Sequence, residues 1–400
     1  MAVDNERGAL FRALRPNQQS RVTYAELFFD LVFVFAVTQI SHFLLGRFTP
    51  LGAIQTTLLF LAVWWVWVYT TWVTNWLNPE LTPVRALLFL LTLGGLVLST
   101  SIPHAFEGRG LWFAIAYAAM QVGRTGFYLA AVPRARVVAR SNAIRILTWL
   151  SASAVFWILG GFAAGEQRLG LWALALAIEY VSPLVRFWIP LYGASAIEDW
   201  YVEGGHMAER CAGFIIIALG ESIVVSGATF ADLGWTAPTI GAFVSAFLAS
   251  IAMWWVYFDK GAEAGSELIS RSSESGRLAR SAYTYLHMPI VAGIILSAVA
   301  DDLVLIHPGG LSDLKTGVSA VGGPLLFLLG TILFKHTIRG WLQLSHIVGI
   351  VAIGLLAAVA GKLSPLELSA LTTASLIAVA TWESLSLRSS PKDHAEATNA

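Results

Sequence analysis

The stretch Glu26-Leu-Phe-Phe-Asp30-Leu-Val-Phe-Val-Phe-Ala-Val-Thr38-Gln39-Ile-Ser41-His42 decides the fold class. It is an apolar run of helical length that carries two carboxylates, Glu26 and Asp30, one helical turn apart. An Asp at the centre of a spanning helix costs about 2.5–3.5 kcal/mol. A chain that keeps one there gives it a partner or a task. Arg7, Arg12, Arg15 and Arg21 precede the run in the manner of a signal peptide. The run continues to Leu45 with no small-residue cleavage site at its end, so it reads as a retained first membrane helix.

The rest of the chain has the same character. Its 400 residues are 56% hydrophobic and 12% charged, about half the charged share of a soluble domain, and the mean hydropathy is +0.69. A net charge of zero and the lack of any long basic run exclude a nucleic-acid partner. A sole cysteine, Cys211, excludes an intrachain disulfide and any multi-cysteine metal centre. The 16 Trp residues fit aromatic belts at the membrane interfaces.

Runs of about 20 apolar residues predict an all-α polytopic membrane protein with about twelve transmembrane helices. They fall at 24–45, 53–77, 83–103, 110–132, 144–164, 169–190, 207–229, 237–258, 280–300, 317–337, 341–361 and 365–386. Only Ile338, Arg339 and Gly340 separate the tenth run from the eleventh. With the N-terminus in the cytoplasm, the opposite side carries only Arg47, Arg109, Arg168, Lys315 and Lys362. The cytoplasmic side takes Arg85, Arg134, Arg136, Arg140, Arg145, Lys260, Arg271, Arg277, Arg280, Lys335, Arg339, Arg388 and Lys392 as well as the N-terminal arginines. That bias predicts an even number of spans with both termini inside. The acidic 191–206 connection, with Glu198, Asp199 and Glu203, sits on that side by parity alone.

Trp64-Trp65-Val66-Trp67-Val68-Tyr69 in the second span is echoed by Trp254-Trp255-Val256-Tyr257 in the eighth. At nearly the same offset Asp30 corresponds to Glu221. The echo suggests two parallel six-helix repeats, 24–190 and 207–387, between cytoplasmic tails at 1–23 and 388–400.

Several charged residues lie inside these spans. Glu26, Asp30, Val37 and Ser41 share one side of the first. Two readings of Asp30 stand side by side: a proton- or cation-binding carboxylate facing a cavity, or a structural acid paired with an arginine or a tryptophan N–H. In the seventh span Arg210 and Glu221 share a face but lie about 16 Å apart along the axis. Glu221, near mid-membrane, therefore needs another helix, water or a proton, and Gly220 beside it would admit a close neighbour. Tyr117, Gln121, Arg124 and Tyr128 form a polar stripe on the fourth span, with Asp30, Glu179 and Glu221 as candidate partners of Arg124. The sixth carries Glu179 and Arg186 on one face with Pro183 between them, where proline frees backbone carbonyls. The aromatic face Trp65, Tyr69, Trp72, Trp76 reads as packing and interface anchoring. Eight histidines include no metal-binding spacing, and no phosphate loop, nucleophile elbow or dinucleotide motif occurs. The chain therefore reads as no enzyme, with no cofactor and no ATP-driven step.

Two segments carry a resemblance. Arg21-Val-Thr-Tyr-Ala-Glu26-Leu-Phe-Phe-Asp30-Leu-Val-Phe-Val-Phe-Ala-Val-Thr-Gln39 and His206-Met-Ala-Glu209-Arg210 with Ile217-Ala-Leu-Gly220-Glu221-Ser222 resemble signature segments of the bacterial low-temperature-requirement protein A family. The resemblance implies a polytopic inner-membrane protein of a family named for growth in the cold. It supplies no catalytic or substrate residues; the matching motif positions are Glu26, Asp30, Glu209, Arg210 and Glu221. A fainter similarity is to lysosomal-type potassium channels built from six-helix repeats, but Phe29-Asp30 lacks the serine of that family's Phe-Ser-Asp. The expectation is a secondary transporter for a small solute, with Asp30, Glu221 and Glu179 as proton- or cation-binding acids and Arg124, Arg210 and Arg186 as counter-charges. A cation channel of two six-helix repeats and a non-transporting protein of cold adaptation are the alternatives. The expected partners are the lipid bilayer and a small solute or ion.

Overall fold

The computed structural model describes residues 10–12, 21–196, 199–200, 202–259, 265–266, 268–269 and 275–388. Arg7, Arg15, Glu198, Lys260, Arg271 and Lys392, with most of both expected tails, lie outside the described residues. The described chain is helical and contains no strand.

Among the described residues helices lie at all twelve apolar runs. They are α1 (Tyr24–Gly46), α2 (Pro50–Trp76), α3 (Thr82–Ser101), α4 (Gly110–Ala131), α5 (Val137–Phe162), α6 (Gly165–Val181), α7 (Gly204–Ala231), α8 (Ala237–Phe258), α9 (Ser275–Ile306), α10 (Leu314–Arg339), α11 (Leu344–Ala357) and α12 (Pro365–Arg388). Among the described residues nine are long and apolar enough to cross a membrane, by length and composition. The three that fall short are α4, α6 and α11. Gln121 and Arg124 make α4 more polar, α6 has 17 residues and α11 has 14.

Local sequence explains where these helices start and stop. Thr23 and Glu26 form a capping box that opens α1: the Glu26 N–H donates to Thr23 Oγ1 at 3.4 Å and the Thr23 N–H to Glu26 Oε2 at 2.9 Å. Thr49 caps α2 through the Gly52 N–H at 3.0 Å, with Pro50 at the first helical position. α10 ends on Gly340, whose φ of 81° is the left-handed stop that glycine accepts most readily. The expected sixth span, 169–190, is cut short at Val181. Pro183 cannot continue the hydrogen-bond ladder, and beyond it Arg186 and Phe187 turn back with φ of 55° and 52°. Arg186 is therefore exposed in a loop and does not share a helical face with Glu179.

Two compact units divide the chain. The first falls within residues 1–217 and 266–284, the second within 218–265 and 285–400. In the first, α1 turns Leu27, Phe28 and Leu31 outward and buries Glu26, Asp30, Phe33 and Val37. An apolar exterior around a polar interior face suits a lipid-facing helix. The same unit buries Trp64, Trp65, Trp67, Trp157 and Trp172 completely, which corrects the assignment of all the tryptophans to interface belts. The echoed pair Trp254 and Trp255 is half-exposed, so the two copies of that motif have different surroundings. At one end of the unit Glu107 pairs with Arg47 and His104. The His104 hydrogen bond, followed by that of Arg47, holds the Glu107 carboxyl below its usual range. What this contact contributes is present above the ordinary carboxylate pKa and fades as pH falls through the lowered value.

In the second unit α9 and α10 approach closely through glycine. A Cβ at Gly293 would lie 2.4 Å from the Phe327 backbone nitrogen, and one at Gly323 would lie 2.7 Å from that of Ser297. Small residues allow such approach between membrane helices. The close neighbour expected at Gly220 is not there, since a Cβ at that position meets nothing within 4 Å.

Candidate functional site: buried carboxylates in each unit

In the first unit Asp30 is held by two groups. Arg210 Nη1 donates to Oδ2 at 2.9 Å and Trp67 Nε1 to Oδ1 at 2.8 Å. Arg210 also reaches Thr71 Oγ1 at 3.4 Å and lies 5.6 Å from the centre of the Trp67 ring. Asp30 is 3% exposed and Arg210 1%. The pair satisfies the structural reading of Asp30, with an arginine and an indole N–H supplied together.

One turn away, Glu26 is fully buried. His206 Nε2 is 2.8 Å from its Oε1, and Arg12 Nη2 donates to its Oε2 at 3.1 Å. Asn75 is oriented by exchange with the Glu203 backbone, at 2.8 Å in each direction. Its amide therefore faces His206 Nδ1 at 3.2 Å as a donor, while Arg12 Nη2 lies 3.0 Å from His206 Nε2, so Arg12, His206 and Glu26 form one compact cluster. Glu209 is exposed and accepts the Val22 N–H at 3.0 Å. The two signature segments of the sequence thus meet, the start of α1 against the start of α7.

Glu179 occupies a second polar pocket of this unit. Tyr117 Oη donates to Oε2 at 2.6 Å and Gln121 Nε2 at 2.9 Å; Ser153 Oγ and Trp157 Nε1 donate to Oε1 at 2.5 and 3.0 Å. Arg124 does not pair with Asp30 or Glu179. It donates to the Val66 carbonyl and to Thr70 Oγ1, each at 3.1 Å, and to Gln121 Oε1. Gln121 therefore relays between the guanidinium and Glu179, accepting on its oxygen and donating from its nitrogen.

The second unit holds Glu221, which is buried, and two acids that the sequence reading passed over. Asp301 Oδ2 accepts from Ser222 Oγ at 2.8 Å, and Ser222 in turn accepts from Ser250 Oγ at 3.2 Å. Asp302 accepts from Thr229 Oγ1. Both acids are buried, at 6% and 7% exposure, and among the described residues neither pairs with a cation. Asp301 lines a cavity of about 20 Å³ with Ser297, Ser369, Thr372, Thr373 and Pro324. Elsewhere in this unit Lys335 Nζ pairs with Glu383 at 2.6 Å and donates to the Val256 carbonyl at 2.7 Å. Lys335 is thus an interior residue, not the loop charge that the topology count took it for. Asp301 and Asp302 were missed because the ninth run was closed at residue 300, although Leu303-Val304-Leu305-Ile306 continues it. That continuation was the available signal.

With the two signature segments in contact, the family can be compared directly. Residues 21–381 match the pattern described as bacterial low temperature requirement A protein (LtrA). The chain belongs to this family. A low temperature requirement A protein with nine helices of spanning length and composition among its described residues is a multi-pass membrane protein. The chain is also similar to "uncharacterized protein RA0937" of Rhizobium meliloti (strain 1021), with 41% identity over 371 residues, which cover 92% of this chain and 90% of that protein. No solved structure matches it.

Proposed function

We propose that this low temperature requirement A protein is a secondary transporter of a small solute in the bacterial inner membrane, coupled to protons or a monovalent cation. All twelve helices cross the bilayer in this reading, and both termini are cytoplasmic, as the Lys and Arg bias supports. The observation that carries the proposal is Asp301, a buried carboxylate lining a small cavity that also holds the hydroxyls of Ser297, Ser369, Thr372 and Thr373 among apolar residues, with no cation beside it among the described residues. A buried charge without a countercharge is costly unless a proton or an ion neutralises it. Serine and threonine hydroxyls are suitable oxygen ligands for a small cation, and Pro324 inside α10 interrupts its backbone ladder beside the cavity. Glu221 remains a coupling candidate of the same unit. Asp30, already paired with Arg210, acts as an ion-pair latch whose opening would cost too much without a replacement partner.

The test needs no knowledge of the solute. Proteoliposomes adsorbed on a solid-supported membrane are given jumps of pH, Na⁺ or K⁺. The wild type gives a transient charge displacement for the coupling ion, and Asp301→Asn loses it while keeping the wild-type elution profile. A sustained current would indicate a channel instead. No displacement in the wild type, or an unchanged one in Asp301→Asn, overturns the proposal.

A further inference from the structure

A second cavity, of about 60 Å³, lies in the first unit and belongs to neither the Asp30 nor the Glu179 cluster. Its walls are aromatic: the Trp65, Tyr69, Trp72, Trp76 face of α2 meets Tyr128 and Trp200. Trp72 and Trp76 pack edge to face at 5.8 Å, and Trp76 lies 5.0 Å from Tyr128. The sequence reading of this face as plain packing is incomplete, because the rings enclose space.

Among the described residues the charged part of the lining is basic: Arg186, Arg277 and Arg280 contribute to it, and no described Asp or Glu does. Arg280 Nη1 donates to the Pro183 carbonyl at 3.2 Å. Among the described residues neither Arg186 nor Arg280 pairs with a carboxylate, whereas Arg12, Arg47 and Arg210 each do. Ser195 adds a buried hydroxyl, which accepts from Trp200 Nε1 at 3.0 Å.

The backbone carrying Arg186 is held in an uncommon form. Arg186 and Phe187 are consecutive non-glycine residues in the left-handed region, a conformation that persists only where surrounding bonds impose it. Here the Arg186 carbonyl accepts from the Ser195 N–H at 2.9 Å and the Phe187 N–H donates to the Ser182 carbonyl at 2.7 Å. Held in this way, Arg186 contributes to the rim of an aromatic pocket.

We infer that this pocket binds an oxyanion carried on an apolar body, with the guanidinium groups on the anion and the indole rings on the apolar part. Arginine forks match phosphate and carboxylate oxygens in geometry and charge, and aromatic walls bury a flat or acyl group at little entropic cost. The anion is either the headgroup phosphate of a membrane lipid or a free amphipathic solute. The inference does not depend on ion coupling at Asp301.

Titrating the purified full chain in nanodiscs with dodecyl phosphate, followed by tryptophan fluorescence, tests it. Saturable quenching is expected, weakened about tenfold or more by Arg280→Gln through loss of charge-assisted bonds. Arg186→Gln, in an exposed loop, gives the same result if the first variant fails to fold. Lower apparent affinity in phosphatidylglycerol discs than in phosphatidylcholine discs identifies a lipid headgroup as the competitor. Equal affinity in both identifies a free solute, and inorganic phosphate then competes in proportion to the anionic contribution. Quenching by dodecanol at equal strength, or titrations unchanged in both arginine variants, would overturn the inference.

Discussion

Asp30 and Arg210 are both buried, so removing one leaves the other's charge in the interior without its partner. Breaking such a pair costs about 3–5 kcal/mol, whereas replacing both halves with apolar residues is often neutral. Asp30→Asn and Arg210→Met are therefore each expected to lower the thermal unfolding temperature in detergent sharply, and Asp30→Leu with Arg210→Met to recover most of the loss. If the double variant is as unstable as the sum of the singles, the pair is not coupled as described. The sequence marked Asp30 and Arg210 separately, as an anomalous acid and a candidate counter-charge, but joined neither to the other. They stand 180 positions apart, and helical periodicity shows which residues share a face without showing which helices are neighbours. The same limit misdirected Arg124, whose contact with Glu179 runs through the uncharged Gln121.

At the scale of elements, glycine decides how closely helices pack. Gly293→Ala and Gly323→Ala drive a methyl group into the backbone of the facing helix, an overpacking that costs typically about 1–3 kcal/mol. Gly220→Ala, with open space around it, is expected to leave the melting temperature within error. Equal effects at all three positions would contradict the α9 and α10 contact. Within α9 the Ala279–Tyr285 segment is a π-helix. The Thr284 carbonyl accepts from Trp64 Nε1 at 2.9 Å and its hydroxyl from Trp72 Nε1 at 3.1 Å. A one-residue deletion at Ser281 restores α-register, and blue-shifted or quenched tryptophan emission is expected as those indole bonds are lost. Helix positions were legible because each apolar run is long. Their ends were uneven: the break at Gly340 was found, but the end of α6 was not, since Pro183 stops a helix through backbone geometry to which a hydropathy window is blind.

For the whole molecule, the topology proposed above can be read by labelling. On a Cys211→Ala background, Gly108→Cys is expected to react with an impermeant maleimide added outside spheroplasts, and Arg134→Cys only after permeabilisation. Reaction of both from the same side would break the proposed alternation. The twelve apolar runs were legible in the sequence; among the described residues nine of the helices at those runs meet the span requirement, and the doubled arrangement rests on a Trp motif that is buried in one copy and half-exposed in the other.

The brevity of α11 has a consequence for the surrounding lipid. At 1.5 Å per residue its 14 residues rise about 21 Å, against a hydrocarbon core of about 30 Å. In the proposed twelve-span topology it would cross only by drawing the two leaflets together locally, at a cost of a fraction of a kcal/mol per Å of mismatch. Acyl chains order and lengthen on cooling, so the elastic penalty around α11 rises as temperature falls.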